Sequence, residues 1–264
     1  MKKTVNLWSE TPGLCLEPPP LDIYLPENRL SDIAVVMLPG GGYANLAPKE
    51  GEGYARFFNE HGIAAFVCQY RVSPHRFPLP LLDARRAVRY VRYHSREFGI
   101  DPCKLYLMGS SAGGHLCAMT STYRNPLEFE GVDEIDSENC LPDGQILCYP
   151  VISLHDLSVT HVGSAQNLLA ENYDRLCKFT SPDLVADRYT PKAFIWHTFD
   201  DPGVEGRNSL NYAARLRQVN VPVVMHLSPH GPHGMGLAEH DPHIKDWSAR
   251  MLAWLKYNDS NKEN

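Results

Sequence analysis

Short apolar runs rich in β-branched residues alternate along the chain with longer amphipathic ones, the pattern of a mostly parallel sheet covered by helices on both faces. Strands are expected over residues 33–38, 63–70, 104–108, 145–149, 193–197 and 221–227. Several are apolar at nearly every position, as strands buried on both faces must be. Residues 21–25 fit an antiparallel edge strand. Helices are expected over 51–61, 81–98, 114–123, 207–219 and 243–257.

In the second of these helices Leu81, Ala84, Ala87, Val88 and Val91 recur at helical spacing, while Arg85, Arg86, Arg89 and Arg92 occupy the other faces. That arginine stripe is expected to be a solvated surface. Two stretches break the alternation: 124–144, acidic and turn-rich, and 152–190, polar with a short apolar run at Leu168 and Leu169. Both are expected to be small lid-like insertions on the side where loops shape a site, within a single domain spanning 1–264. No internal repeat or low-complexity segment interrupts that domain.

Composition narrows the class without changing the fold. With 43% hydrophobic and 21% charged residues the chain is an ordinary globular one, and a net charge of −6 with no local Lys/Arg cluster argues against nucleic acid as a partner. No apolar run approaches the roughly 18 residues of a membrane span. Met1-Lys2-Lys3 imitates the start of a signal peptide, but Asn6, Ser9, Glu10 and Pro12 stand where its apolar segment would be, so a cytoplasmic location is expected. Seven cysteines without a Cys-x-x-Cys pair agree with reduced thiols. A homo-oligomer stays open.

Chemistry enters at Gly109-Ser110-Ser111-Ala112-Gly113-Gly114, directly after the expected strand 104–108 and before a small-residue helix. The bare Gly-x-Ser-x-Gly pattern arises by chance in about one chain in ten of this length, so its weight comes from its place. A serine hydroxyl is a weak nucleophile, and a tight strand-to-helix turn with glycine two positions either side lifts it clear of the sheet. Ser111 is the expected nucleophile; Ser110 is off the centre of the pattern. The backbone N–H of Ala112 is then placed for a developing oxyanion.

A second source of oxyanion donors follows the strand at 33–38, where Pro39-Gly40-Gly41-Gly42-Tyr43 can present bare N–H groups; Gly41 and Gly42 are the candidates. No Gly-Lys-Ser/Thr and no Gly-x-Gly-x-x-Gly follows, which removes the nucleotide-binding reading. Later strands supply an acid and a base in the order this chemistry needs. Asp200 and Asp201 end the strand at 193–197, and His230 and His233 lie in the loop after 221–227. A neutral imidazole would take the serine proton while a carboxylate holds its tautomer. Each position has a duplicate, and the residues alone do not choose between them. His226, His240 and His243 lie nearby, but no metal-ligand spacing is present, and neither a metal nor a cofactor is expected.

The Pro-Gly-Gly-Gly-Tyr loop, Tyr70-Arg71-Val72-Ser73-Pro74, Gly109–Gly114, Cys148-Tyr149-Pro150-Val151, Trp196-His197-Thr198-Phe199-Asp200-Asp201 and Gly231-Pro232-His233-Gly234 together resemble the acetylxylan-esterase-like, carbohydrate-esterase branch of the α/β hydrolases. The resemblance runs from about residue 20 onward. It implies an α/β-hydrolase fold, a serine esterase acting on small acyl esters of sugars or xylo-oligosaccharides, and Asp201 and His233 as the acid and base. Two departures stand out: Pro39 where relatives usually carry His, and Gly203-Val204-Glu205-Gly206 after the acid. General carboxylesterase action, amide hydrolysis and a non-catalytic binding module are the alternatives, the last disfavoured because every triad candidate is present.

Overall fold

The computed structural model describes residues 2–9, 18–128, 131 and 133–260. Its centre is one eight-stranded sheet in the order β1-β2-β4-β3-β5-β6-β7-β8. The strands are β1 Lys2–Asn6, β2 Pro20–Tyr24, β3 Ala34–Leu38, β4 Ala64–Cys68, β5 Leu105–Ser110, β6 Gly144–Cys148, β7 Ala193–Thr198 and β8 Val223–Ser228. From β4 across to β8 every pairing is parallel, and β1 and β2 are antiparallel. The expected α/β architecture is therefore present, with each of the six central strands within three residues of its expected bounds.

The helices are α1 Tyr54–Glu60, α2 Leu79–Tyr93, α3 Ser95–Phe98, α4 Ala112–Thr122, α5 Val162–Leu169, α6 Tyr173–Leu176, α7 Pro182–Val185, α8 Arg207–Gln218 and α9 Trp247–Ser260. Alternation along each central strand divides the core in two. Ala34, Val36 and Leu38 of β3 join α2, α4 and α8 on one face, while Val35 and Met37 face α1 and α9 on the other. The chain leaves β3 for β4 on one side, and β5 lies on the other. This topological switch point opens a crevice at the carboxyl ends of β3 and β5, the place where sheets of this kind bind ligands.

Three expectations need correction. Residues 20–24 do form an antiparallel strand, but β1 pairs outside it, so the edge is Lys2–Asn6. That strand is polar and exposed, as sheet edges tend to be, and so lacks the apolar alternation that marks a strand. Segment 124–144 is not near the crevice: it follows α4, which returns the chain to the amino ends of the strands, and so leads into β6 at the opposite end of the sheet. Segment 152–190 follows the carboxyl end of β6 and does lie on the crevice side.

The third correction is the arginine stripe, which is not solvated. Arg86 is 1% exposed. Its Nε donates to Leu7 O at 2.7 Å, its guanidinium pairs with Asp133 and with Asp136 at 2.9 Å, and it stacks 4.7 Å from the Trp8 ring centre. Arg85 donates to Tyr123 O, Arg89 to Glu138 O, and Arg92 to Leu141 O and Asp143. The acidic, carbonyl-rich residues 133–143 thus lie over α2 and supply partners to Arg86, Arg89 and Arg92, while Arg85 is met by the end of α4. Removing one partner of such a buried network leaves charges uncompensated, so Arg86→Ala is expected to lower unfolding stability by about 3–5 kcal/mol in urea denaturation.

Candidate active site

Strand β5 runs straight into Ser111, which takes φ 52° and ψ −120° before α4 begins at Ala112. The turn is tight enough to exclude side chains beside it. A Cβ on Gly109 would lie 2.1 Å from Gly113 O, and one on Gly113 would lie 2.0 Å from Leu38 O. Ser111 N donates to Cys148 O at 3.0 Å and Ser111 O accepts from Val151 N at 3.0 Å, which fastens the turn to the end of β6. Its hydroxyl reaches the crevice, whereas Ser110 is fully buried with its Oγ 3.2 Å from Tyr54 Oη.

The structure brings the expected acid and base to this serine. His233 Nδ1 lies 2.7 Å from Asp201 Oδ2, and Nε2 lies 2.8 Å from Ser111 Oγ. A carboxylate only accepts, so Nδ1 carries the proton and Nε2 is free to accept from the serine hydroxyl. The duplicates separate cleanly. Asp200 and His230 pair with each other at 2.7 Å on the surface, His230 with a side chain 83% exposed, and neither reaches Ser111.

Asp201 is deeply buried yet fully supplied with donors. Oδ1 accepts from Gly203 N at 2.7 Å and Val204 N at 3.0 Å, and Oδ2 lies against His233 and 3.3 Å from His197 Nε2. Burial by itself raises its pKa. The hydrogen bonds from His197, His233 and Val204 N–H outweigh that and hold the carboxyl well below the usual range. The unusual Gly203-Val204 turn is thus one of the elements holding this carboxylate. His197 is itself fully buried, with Nδ1 2.8 Å from Ser209 Oγ.

The glycine loop after β3 stands beside Ser111. Gly41 and Gly42 have φ of 128° and 64°, and among the described residues their N–H groups and that of Ala112 have no acceptor. The Gly40 N–H is already taken by Glu50 Oε2 at 2.8 Å. Pro39, which opens the loop, is held by its carbonyl, which accepts from Tyr70 Oη at 2.6 Å. Asn167 of α5 donates to Gly42 O at 2.9 Å.

Glu50 lies behind the loop, where burial pushes its pKa up against the hydrogen bonds from Tyr149 and Gly40. Its Oε1 accepts from Tyr149 Oη at 2.6 Å, and that oxygen accepts from Gly236 N at 3.0 Å in the histidine loop. The Tyr149 ring meets the His233 imidazole edge to face at 5.0 Å. One carboxylate and one phenol therefore join the glycine loop to the histidine loop. Neither Glu50 nor the acid-holding role of His197 was expected from sequence, although His197 and Tyr149 both lie in stretches that carry the family resemblance.

The open space over Ser111 and His233 is a cleft of about 650 Å³, lined by Gly41, Gly42, Ala47 and Pro48 together with His161 and Asn167, which lie next to Gly42. Among the described residues no group of His, Cys, Asp or Glu side chains is arranged to hold a metal ion, and no helix is long and apolar enough to cross a membrane.

Comparison with known proteins agrees with this architecture. The crystal structure of an acetyl ester-xyloside bifunctional hydrolase from Caldicellulosiruptor lactoaceticus superposes with a TM-score of 0.89 at 37% identity, covering 97% of this chain and 96% of that one. An acetylxylan esterase of Xylanibacter ruminicola is 33% identical over 91% of this chain and 48% of its own length. The endo-1,4-beta-xylanase B of Butyrivibrio fibrisolvens is 35% identical over 87% of this chain and 36% of its own. The chain thus spans less than half the length of these two curated relatives. The BD-FAE family matches residues 21–216, most of the chain, and includes the glycine loop, the serine turn and Asp201. The chain belongs to the BD-FAE family, and its fold is that of an α/β hydrolase.

Proposed function

We propose that this protein is a serine esterase that removes small acyl groups, acetyl above all, from sugars or xylo-oligosaccharides. The observation that carries the reading is the continuous chain from Ser111 Oγ through His233 to the buried Asp201 carboxylate. His233 Nε2 takes the serine proton as Oγ attacks the ester carbonyl carbon, and the N–H groups of Ala112, Gly41 and Gly42 receive the oxyanion. The same imidazole then gives the proton to the departing alcohol oxygen, leaving an acyl group on Ser111. Water, deprotonated by His233, attacks that acyl carbon; the carboxylic acid leaves and Oγ regains its proton.

Two features support a small acyl group on a sugar. The cleft is lined by glycine, alanine and proline beside the serine, and the similar proteins named above include an acetylxylan esterase and an acetyl ester-xyloside bifunctional hydrolase. Cys68, Cys103, Cys117, Cys140, Cys148 and Cys177 are free thiols, which supports a reducing, cytoplasmic location.

The direct experiment measures acetate release from acetylated xylo-oligosaccharides beside p-nitrophenyl esters of two, four and eight carbons. Acetate release with preference for the two-carbon ester is expected, and Ser111→Ala should abolish both while leaving the circular dichroism spectrum intact. Strong hydrolysis of the eight-carbon ester without acetate release would move the substrate to a general carboxylic ester.

Asp201→Asn should lower kcat by about 10³–10⁴-fold, because an amide no longer fixes the imidazole tautomer. The same variant tests the electrostatics. A carboxyl whose folded pKa is depressed stabilises the fold above its unfolded pKa of about 3.9, and that contribution is lost as pH falls toward the folded value. The stability difference between wild type and Asp201→Asn, followed by urea denaturation from pH 7 down to pH 3, should be constant near neutrality and narrow below about pH 4.

A further inference from the structure

Segment 152–190 brings His161, the residue before α5, to the wall of the cleft that holds Ser111 and His233. Its Nδ1 accepts from the Ser164 backbone N–H at 3.2 Å and lies 2.8 Å from Ser164 Oγ. A ring nitrogen that accepts from a backbone N–H carries no proton, so the neutral ring has its hydrogen on Nε2. Among the described residues that Nε2–H has no acceptor, and the ring borders the cleft. The helix that His161 caps is tied to the site, because Asn167 of α5 is bonded to Gly42 O in the glycine loop.

Burial, and then the positive charge that His233 acquires, push the His161 pKa below its ordinary value. The ring therefore stays uncharged while His233 becomes an imidazolium during turnover. An uncharged donor in a half-buried wall suits an uncharged oxygen; a carboxylate or phosphate would be matched by a guanidinium or ammonium group.

We propose that His161 is a specificity-determining residue whose Nε2–H donates a hydrogen bond to an uncharged hydroxyl or ether oxygen in the alcohol part of the bound ester. This rests on the esterase reading above. His233 must return its proton to the departing oxygen, so the alcohol lies on the His233 side of Ser111, while the carbonyl oxygen turns to the N–H groups of Ala112, Gly41 and Gly42. His161 lines the same cleft as His233, with its Cε1 3.9 Å from where a Cβ on Gly42 would stand; an acetyl group has no acceptor besides its carbonyl oxygen, so the acceptors left for the free N–H are those of the alcohol.

The test compares kcat/KM for three acetates: acetylated xylo-oligosaccharide, glycerol monoacetate, whose alcohol part keeps two free hydroxyls, and p-nitrophenyl acetate, the last offering neither hydroxyl nor ether oxygen in its leaving group. His161→Asn keeps a side-chain oxygen to cap α5 and removes the distal N–H. His161→Phe keeps the ring and removes both. In each variant the ratio of alkyl to aryl acetate hydrolysis should fall by roughly 10-fold, the worth of one hydrogen bond left unmade. A ratio equal to wild type in both variants overturns the proposal; if all three acetates slow together, His161 serves the oxyanion or the fold and not the alcohol. Should wild type cleave glycerol monoacetate but release nothing from the oligosaccharide, the sugar reading fails, and the monoacetate-to-aryl ratio alone still decides the role of His161. Wild type inert on every ester would overturn both.

Discussion

A serine at φ 52° and ψ −120° occupies backbone space that costs on the order of 1–3 kcal/mol, and the surrounding structure has to hold it there. Three strands and a helix do so. The β5–β6 ladder continues past the strands into the bonds between Ser111 and both Cys148 and Val151. Helix α4 presses so close to the end of β3 that only glycine fits at position 113. Because that contact is with Leu38, the residue before the Pro-Gly-Gly-Gly loop, the closeness that strains the serine also brings Gly41 and Gly42 beside it. The strained serine and the placement of the glycine loop are therefore consequences of a single tight approach at the switch point of the sheet.

Two buried carboxyls flank this centre, and their pKa values move in opposite directions for a countable reason. Asp201 accepts from the N–H groups of Gly203, Val204 and His233, and His197 Nε2, which is bonded to Val204 O at 3.1 Å, adds a longer approach at 3.3 Å; together these offset desolvation and keep it ionised. Glu50 receives one N–H and one phenolic O–H, too few to offset its burial, so its pKa rises. The first arrangement suits a permanent negative charge that orients an imidazole. The second suits a mechanical tie, and Glu50 with Tyr149 spans the glycine loop and the histidine loop in the manner of a brace.

The parts of the site that were legible in the sequence are those where chemistry dictates backbone. Glycine around Ser111 and glycine after β3 are demanded by close approach and by positive φ, so a short pattern in the right place was enough. Asp201 and His233 were legible only through the family resemblance, since Asp200 and His230 obey the same local rules; the structure distinguishes them by exposure and reach. Tyr70-Arg71 belongs to the resemblance for a different reason. Tyr70 bonds the Pro39 carbonyl, and Arg71 makes a buried ion pair with Asp83, so this stretch supports the site without entering it. Glu50 and His161 left no sequence signal, and His197 stood inside a family stretch without showing its role, because a buried polar side chain is recognised by partners that are distant in the chain.

The misplacement of segment 124–144 has a simple physical origin. In a parallel sheet with crossover helices, loops that follow strands gather at one end and loops that follow helices gather at the other. Segment 152–190 follows β6 and so borders the cleft, where it contributes His161 and Asn167. Segment 124–144 follows α4, so it could only have landed at the far end, against α2. That placement also accounts for the arginines. Four cations at helical spacing usually signal water, but the acidic residues 133–143, whose position over α2 follows from chain direction, offer three of those cations carboxylates and carbonyls instead. Composition and periodicity each described one half of the contact correctly; only the direction of the chain through the sheet joins them.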